Sequence, residues 1–196
     1  MRIFAALLIA LWLLSGNLWA EEIPTASKTV PKQLRHLAQS GPVNGRFVQN
    51  KTLQGLDIPL RSEGHFALTD DTLLWQVTSP IASELQISRD AIVQLEDGRE
   101  VFRLSAAEQP LSRVISDIFL AVFQGDWALL QQHFDLQVSG SADDWQLQLL
   151  PLNDVIGRVA GRIDVEGGAQ LQSLQLAEPG GDRTRIEFFA PEHGHP

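Results

Sequence analysis

The sequence predicts a mainly β chain of the α+β class, with a largely antiparallel sheet of about ten strands and helices at the N-terminus and in the middle. Three observations carry this. Short segments of period-two hydrophobicity fill residues 45–105 and 134–190. Gly, Pro, Asp or Asn punctuate most of the gaps between them. A single stretch, "VISDIFLAVFQGDWALL" at 114–130, breaks the alternation with apolar residues on almost every side.

The chain has 196 residues, a formal charge of -9 and no Cys. Residues 1–20 have the layout of a secretory signal peptide: Arg2, an apolar run from Ile3 to Leu14, then Leu18 and Ala20 before "EE". The run is too short to favour a membrane span, although a retained anchor is the alternative. Cleavage near Ala20 removes Arg2 and no acid, leaving a charge of -10. No Cys near that point can be lipidated, so the expectation is an exported, soluble, periplasmic protein. The remaining length of about 175 residues suits one domain, 21–196, with its core at 31–190. The acidic balance argues against nucleic acid and against resting on anionic lipid.

Along the chain, Pro31 opens a short helix at 31–40 with Leu34, Leu37 and Ala38 on one face, and Gly41 stops it. Six strand segments follow: "GRFVQNKTL", "PLRSEGHFALT", "TLLWQVTS", "SELQISR", "AIVQLED" and "REVFRLS". "TDDT" (69–72) and "EDG" (96–98) are turns, and Pro80 breaks the chain between the third and fourth strands. In the second strand Leu60, Phe66 and Leu68 share one parity, while Arg61, Glu63 and His65 share the other, as in a sheet with one wet face. Helix then occupies 110–133. Pro110 opens it, Gly125 ends its first part, and Asp126 caps a second part that Trp127 begins. The strands "FDLQVSG", "DWQLQLLP", "RIDVEG", "LQSLQLAE" and "RTRIEFFA" complete the chain, with one helical turn capped by Asn153 within "LNDVIGRVAG". Gly167-Gly168 and Gly180-Gly181 are hairpin turns.

In the first central helix, Val114, Ile118, Ala121 and Val122 form one stripe, and Ile115, Phe119, Val122 and Phe123 form its neighbour. Arg113, Ser116, Asp117 and Gln124 are the polar remainder, interrupted by Leu120. This arc is wider than the roughly 100° of an ordinary surface helix, so the helix is covered on more than one side. Two explanations stand side by side: a core helix inside a curved sheet, or a helix that closes a half-barrel and shares its inner surface with a ligand. The inward strand candidates are large and apolar: Phe47, Leu60, Phe66, Trp75, Val77, Leu85, Ile87, Phe102, Leu104, Phe134, Leu136, Val138, Trp145, Leu147 and Leu149. None supplies a catalytic base, and a site lined this way holds an aliphatic chain.

Other constellations favour ordinary structure. His193 and His195 lack a carboxylate scaffold for a metal, so no metal or other cofactor is expected. His36 and His133 are expected to be solvated, and Glu63 with His65 a surface pair. Asp70-Asp71 and Asp143-Asp144 have turn chemistry. No G-x-S-x-G, P-loop or G-x-G-x-x-G is present, which argues against an enzyme.

The order of these pieces resembles the LolA-like family of periplasmic lipoprotein carriers over about residues 31–190. The matching pieces are Phe47-Val48-Gln49, the run Gly64…Trp75…Pro80, Asp97-Gly98, Gly125-Asp126-Trp127 after the apolar helix, and the closing "DRTRIEFF". The resemblance implies an incomplete antiparallel β-barrel of about 10–11 strands with helices as a lid over an apolar cavity. The cavity would take lipoprotein acyl chains from an inner-membrane donor complex and pass them to an outer-membrane acceptor, the carrier itself being a monomer. In this reading Ile115, Ile118, Phe119, Val122, Phe123 and Trp127 join the inward strand residues in lining it. A typical carrier has Arg-Pro shortly before the strand Trp, where the Arg helps latch the lid. Here Thr69-Asp70-Asp71 stands at that place, and Arg61 is nearby on the outward parity. Divergent members are associated with other lipidic products, including polyene lipids and glycolipids. A lipid-sensing regulatory module of the same fold is the remaining alternative.

Overall fold

The computed structural model describes residues 44–55, 58–69 and 71–191. The expected signal segment, the helix at 31–40, Asp70 and the tail with His193 and His195 lie outside these residues.

Among the described residues, alternation of apolar and polar residues yields eleven strands: β1 (Asn44–Thr52), β2 (Leu60–Thr69), β3 (Thr72–Ser79), β4 (Ser83–Ile87), β5 (Ala91–Glu96) and β6 (Arg99–Ser105), then β7 (Phe134–Gly140), β8 (Trp145–Pro151), β9 (Arg162–Gly167), β10 (Leu171–Ala177) and β11 (Arg183–Phe189). All pair antiparallel in one sheet, in the order β6-β5-β4-β3-β2-β1-β11-β10-β9-β8-β7. The first half of the sheet is laid down outward from β1 and the second half inward toward it, so β1 and β11 meet in the middle. β6 and β7 are the two outer strands, and they do not pair with each other. The sheet is therefore an open barrel, as expected for an incomplete one.

Turn chemistry sets the registers. β5 and β6 are joined by the two residues Asp97 and Gly98, both at positive φ (50° and 72°), with Glu96 opposite Arg99. Two left-handed residues in sequence match the twist of a tight hairpin.

The chain leaves β6 and reaches β7 through α1 (Pro110–Gln124) and α2 (Trp127–Leu130). Proline in the first turn of α1 needs no amide partner. The helix stops at Gly125, whose φ of 67° puts it in the left-handed region that favours glycine. Asp126 then caps α2, its carboxylate accepting from the Leu129 amide at 3.0 Å. A third helix, α3 (Asp154–Val159), is capped by Asn153, which accepts from the Ile156 amide at 3.0 Å. Asp154 in its first turn and Arg158 in its last both suit the helix dipole.

Candidate apolar site and its helical plug

The concave face is built from rows of side chains that cross the strands at one level. One row runs Leu68, Leu73, Ile87, Ile92 and Leu104 from β2 to β6, each residue directly opposite the next. A second runs Gln49, Ile186, Leu174, Val165, Leu147 and Val138 from β1 to β7. A third, nearer one end, runs Lys51, Thr184, Leu176, Ile163, Leu149 and Leu136. Phe47, flanked by Phe188 and Gly64, sits between the two halves.

Helix α1 lies against this face. Ile115, Ile118, Leu120, Ala121, Val122 and Phe123 are buried, and Val114 and Phe119 are partly so. The polar side of the helix is buried as well, at Ser112, Ser116 and Asp117; Arg113 is exposed. The width of the apolar arc follows, since almost every direction from this helix meets protein. The Phe123 ring meets Phe66 at 5.1 Å, Phe188 at 5.4 Å and Trp75 at 6.5 Å between centroids, while Phe47 stacks on Trp75 at 3.8 Å. Tilted and edge-on aromatic pairs at these distances are favourable beyond the area they bury. α1 thus enters the concavity as a plug rather than resting on its rim.

The structure gathers most of the expected site residues into one apolar cluster. Phe47, Phe66, Trp75, Ile87, Leu104, Ile115, Ile118, Val122, Phe123, Trp127, Phe134, Trp145, Leu147 and Leu149 are buried in it, and Val77, Leu85, Phe119, Leu136 and Val138 pack against it half-buried. Leu60 and Phe102 are corrections. Leu60 is 54% exposed, because it opens β2 beyond the end of β3, whose last residue Ser79 pairs with Glu63. Phe102 is 45% exposed: it lies on the outer strand β6 with a neighbour on one side only, and unlike Leu104 on the same strand it falls outside the buried cluster. Parity placed both on the concave face but did not register the sheet's margins.

Sequence reasoning missed two things. The inner members of β11, β10, β9 and β5, including Phe188, Ile186, Leu174, Val165 and Ile92, carry the same alternation and belong to the cluster. The concave face is also not wholly apolar, since Gln49, Lys51, Ser62 and Thr184 are buried polar residues near one end of β1, β2 and β11. Lys51, with its side chain 4% exposed, donates to Glu178 at 2.9 Å and lies 3.9 Å from Asp182. A buried ammonium needs such partners, because leaving water without them costs several kcal/mol.

His133 is a further correction: it is half-buried, with both ring nitrogens shielded from solvent, rather than solvated. Its Nε2 lies 3.5 Å from Asp117 Oδ2 on α1, yet neither ring nitrogen makes an aligned hydrogen bond. The contact is a close approach and no more. The Trp127 ring, perpendicular to Trp145 at 6.2 Å, also has no acceptor for its indole N–H, whereas Trp145 Nε1 donates to the Gly168 carbonyl at 2.8 Å.

A family model described as outer membrane lipoprotein carrier protein LolA-like matches residues 23–186. The chain belongs to this LolA-like family. Among solved structures, LprF from Mycobacterium bovis is 11% identical over 85% of this chain and 96% of its own, with a TM-score of 0.35. The Mycobacterium tuberculosis lipoprotein LppX is 13% identical over 82% of this chain and 95% of its own, with a TM-score of 0.43. Neither likeness is close enough to bear on the ligand. No curated protein is significantly similar in sequence.

For a LolA-like chain, the place expected to hold the latch arginine has other contacts. The Thr72 hydroxyl donates to Asp71 at 3.2 Å, and the Thr69 hydroxyl to the Thr72 carbonyl at 3.2 Å. Arg61 is exposed on the convex face and pairs with Glu63 at 3.3 Å. The polar approach that links α1 to the chain entering β7 is instead Asp117 to His133. Among the described residues, no helix is long and apolar enough to cross a membrane.

Proposed function

We propose that this LolA-like chain is a non-enzymatic, periplasmic carrier that shields the acyl chains of lipoproteins, or of another lipidated product, between the inner and outer membranes. In this reading residues 1–20 are a signal peptide cleaved near Ala20, and 21–196 form one monomeric half-barrel domain. The protein receives its cargo from an inner-membrane donor complex and gives it to an outer-membrane acceptor. The cargo occupies the space that α1 fills in the free protein, against Phe47, Phe66, Trp75, Trp145 and Leu147.

The observation that carries the proposal is α1 itself. A helix with apolar side chains almost all round is held inside a sheet whose two outer strands remain unjoined, and it ends at a left-handed Gly125. Such a helix can leave as a unit and be replaced by hydrocarbon of similar character. Burial of an acyl chain gains roughly 0.8 kcal/mol per CH₂, or about 10 kcal/mol for one long chain. Displacing α1 offsets part of that gain, which a carrier requires in order to release its cargo.

Native mass spectrometry of protein purified from its own periplasm tests the proposal. The expected result is a bound lipid mass. Its consistent absence, together with no uptake of a fluorescent fatty acid, would leave α1 as ordinary core. Phe119, half-buried on α1, supplies the mutational arm: Phe119→Asp is expected to weaken uptake while the sheet stays folded.

A further inference from the structure

We infer that the indole N–H of Trp127 is the polar anchor of the carrier site, donating to the carbonyl oxygen of an ester- or amide-linked acyl group. The inference rests on the carrier reading and narrows its ligand to acyl derivatives, as opposed to a plain hydrocarbon or polyene tail. Trp127 is 3% exposed, and its Nε1 has no hydrogen-bond acceptor among the described residues. Buried indole nitrogens are ordinarily satisfied, as Trp145 shows in the same cluster by donating to Gly168 at 2.8 Å. An N–H left bare in a greasy interior is therefore a place where the fold forgoes stability, and a group that supplies an acceptor recovers it.

The position suits that role. Trp127 is the first residue of α2, two residues after the left-handed Gly125, so it lies at the joint where α1 meets the chain leading to the outer strand β7. Its ring faces Trp145 on the concave side of β8, among apolar neighbours that offer a carbonyl no competing donor. His133, whose ring nitrogens are also unbonded, is less enclosed, its side chain 15% exposed, and has the Asp117 carboxyl 3.5 Å away. Gln109, whose Oε1 is also unpartnered, presents an acceptor there rather than a donor. Among the described residues, Trp127 thus supplies the most deeply buried side-chain N–H left without an acceptor.

The test compares uptake from neutral vesicles of methyl palmitate and of the straight-chain alkane with the same number of non-hydrogen atoms, by the full mature chain and by Trp127→Phe. One hydrogen bond of ordinary strength predicts that the ester-to-alkane affinity ratio falls roughly 5- to 10-fold in the variant. In the wild type, one indole N–H resonance should move downfield with the ester and not with the alkane; it is the resonance that Trp127→Phe removes. An unchanged ratio, or no indole signal that tells ester from alkane, overturns the assignment and leaves the carrier reading standing. Uptake of neither ligand by the wild type sinks the carrier reading itself. Should Trp127→Phe fail to fold, the wild-type resonances alone decide.

Discussion

The Phe123 ring on α1 lies 5.1 Å from the Phe66 ring on β2, tilted by 48°, and this pair joins the central helix to the middle of the sheet. Around it stand Phe188 and Trp75, so the plug is seated through Phe123 on three aromatic side chains drawn from three strands. Phe123→Ala should therefore destabilise the ligand-free protein by about 3–5 kcal/mol, the range for a large aromatic lost from a packed core. Urea unfolding measures it. A loss below about 1 kcal/mol would mean that α1 rests on the sheet without being seated in it.

Gly125 holds a φ of 67°, where a side chain crowds the backbone. Gly125→Ala should lower stability by about 1–2 kcal/mol. Asp126→Ala removes the cap of α2 and should lower it by about 1 kcal/mol. The two effects differ in reach. Hydrogen exchange in Asp126→Ala should rise at the α2 amides while those of β1 and β11 keep their protection. Uniform loss across the sheet would show that α2 is not an independent joint.

Lys51 and Glu178 form a pair whose two members are unequally buried, 4% and 20% exposed at the side chain. Removing the more exposed partner leaves the ammonium enclosed with only Asp182 at 3.9 Å. Glu178→Ala should cost roughly 2–3 kcal/mol, somewhat under the figure for a pair with no second acid. Lys51→Met exchanges the charge for a similar apolar volume and leaves Glu178 within reach of water, so its cost should be under about 1 kcal/mol. Thermal unfolding of the two variants at one pH checks the order, and equal losses would contradict it.

On the outer strand β6, Arg103 donates to both Glu100 oxygens, at 2.9 and 2.6 Å. The hydrogen bonds from Arg103 hold the Glu100 carboxyl below the usual glutamate range and raise the Arg103 guanidinium in turn. For a carboxyl lowered on folding, the pair's support is present above the ordinary glutamate range and is lost as pH falls through the lowered folded value. Both groups are fully exposed, so the effect belongs to the local titration rather than to global stability. Carboxyl carbon NMR should show Glu100 titrating late on acidification, and Arg103→Ala should return it to the ordinary range.

Much of this was legible in the sequence, for physical reasons that vary by element. β3 and β6 occupy the expected segments, because alternation and turn residues agree at both ends of each. The caps at Gly125, Asp126 and Asn153 were visible, since each depends on one residue type at one backbone position. The width of the apolar arc on α1 announced that the helix is enclosed. What alternation could not convey is where a sheet ends. Leu60 and Phe102 have the inward parity, yet each has a neighbouring strand on one side only. Pair formation at a distance was equally hidden: Lys51 is buried because Glu178, 127 residues away, comes to meet it, and half-buried His133 has Asp117 of α1 3.5 Å from its ring. The unfilled bonding capacity of Trp127 has no signature in the sequence at all, since it depends on which acceptors the fold leaves out of reach.

That β6 and β7 never join has a mechanical consequence. A closed cylinder has a fixed girth, because widening it must tear a ladder somewhere. A wall with two loose margins can splay or tighten by small changes of twist shared over ten strand junctions, with every ladder intact. In the proposed carrier, one such wall would fit itself to guests of different thickness, its capacity elastic rather than moulded to a single shape.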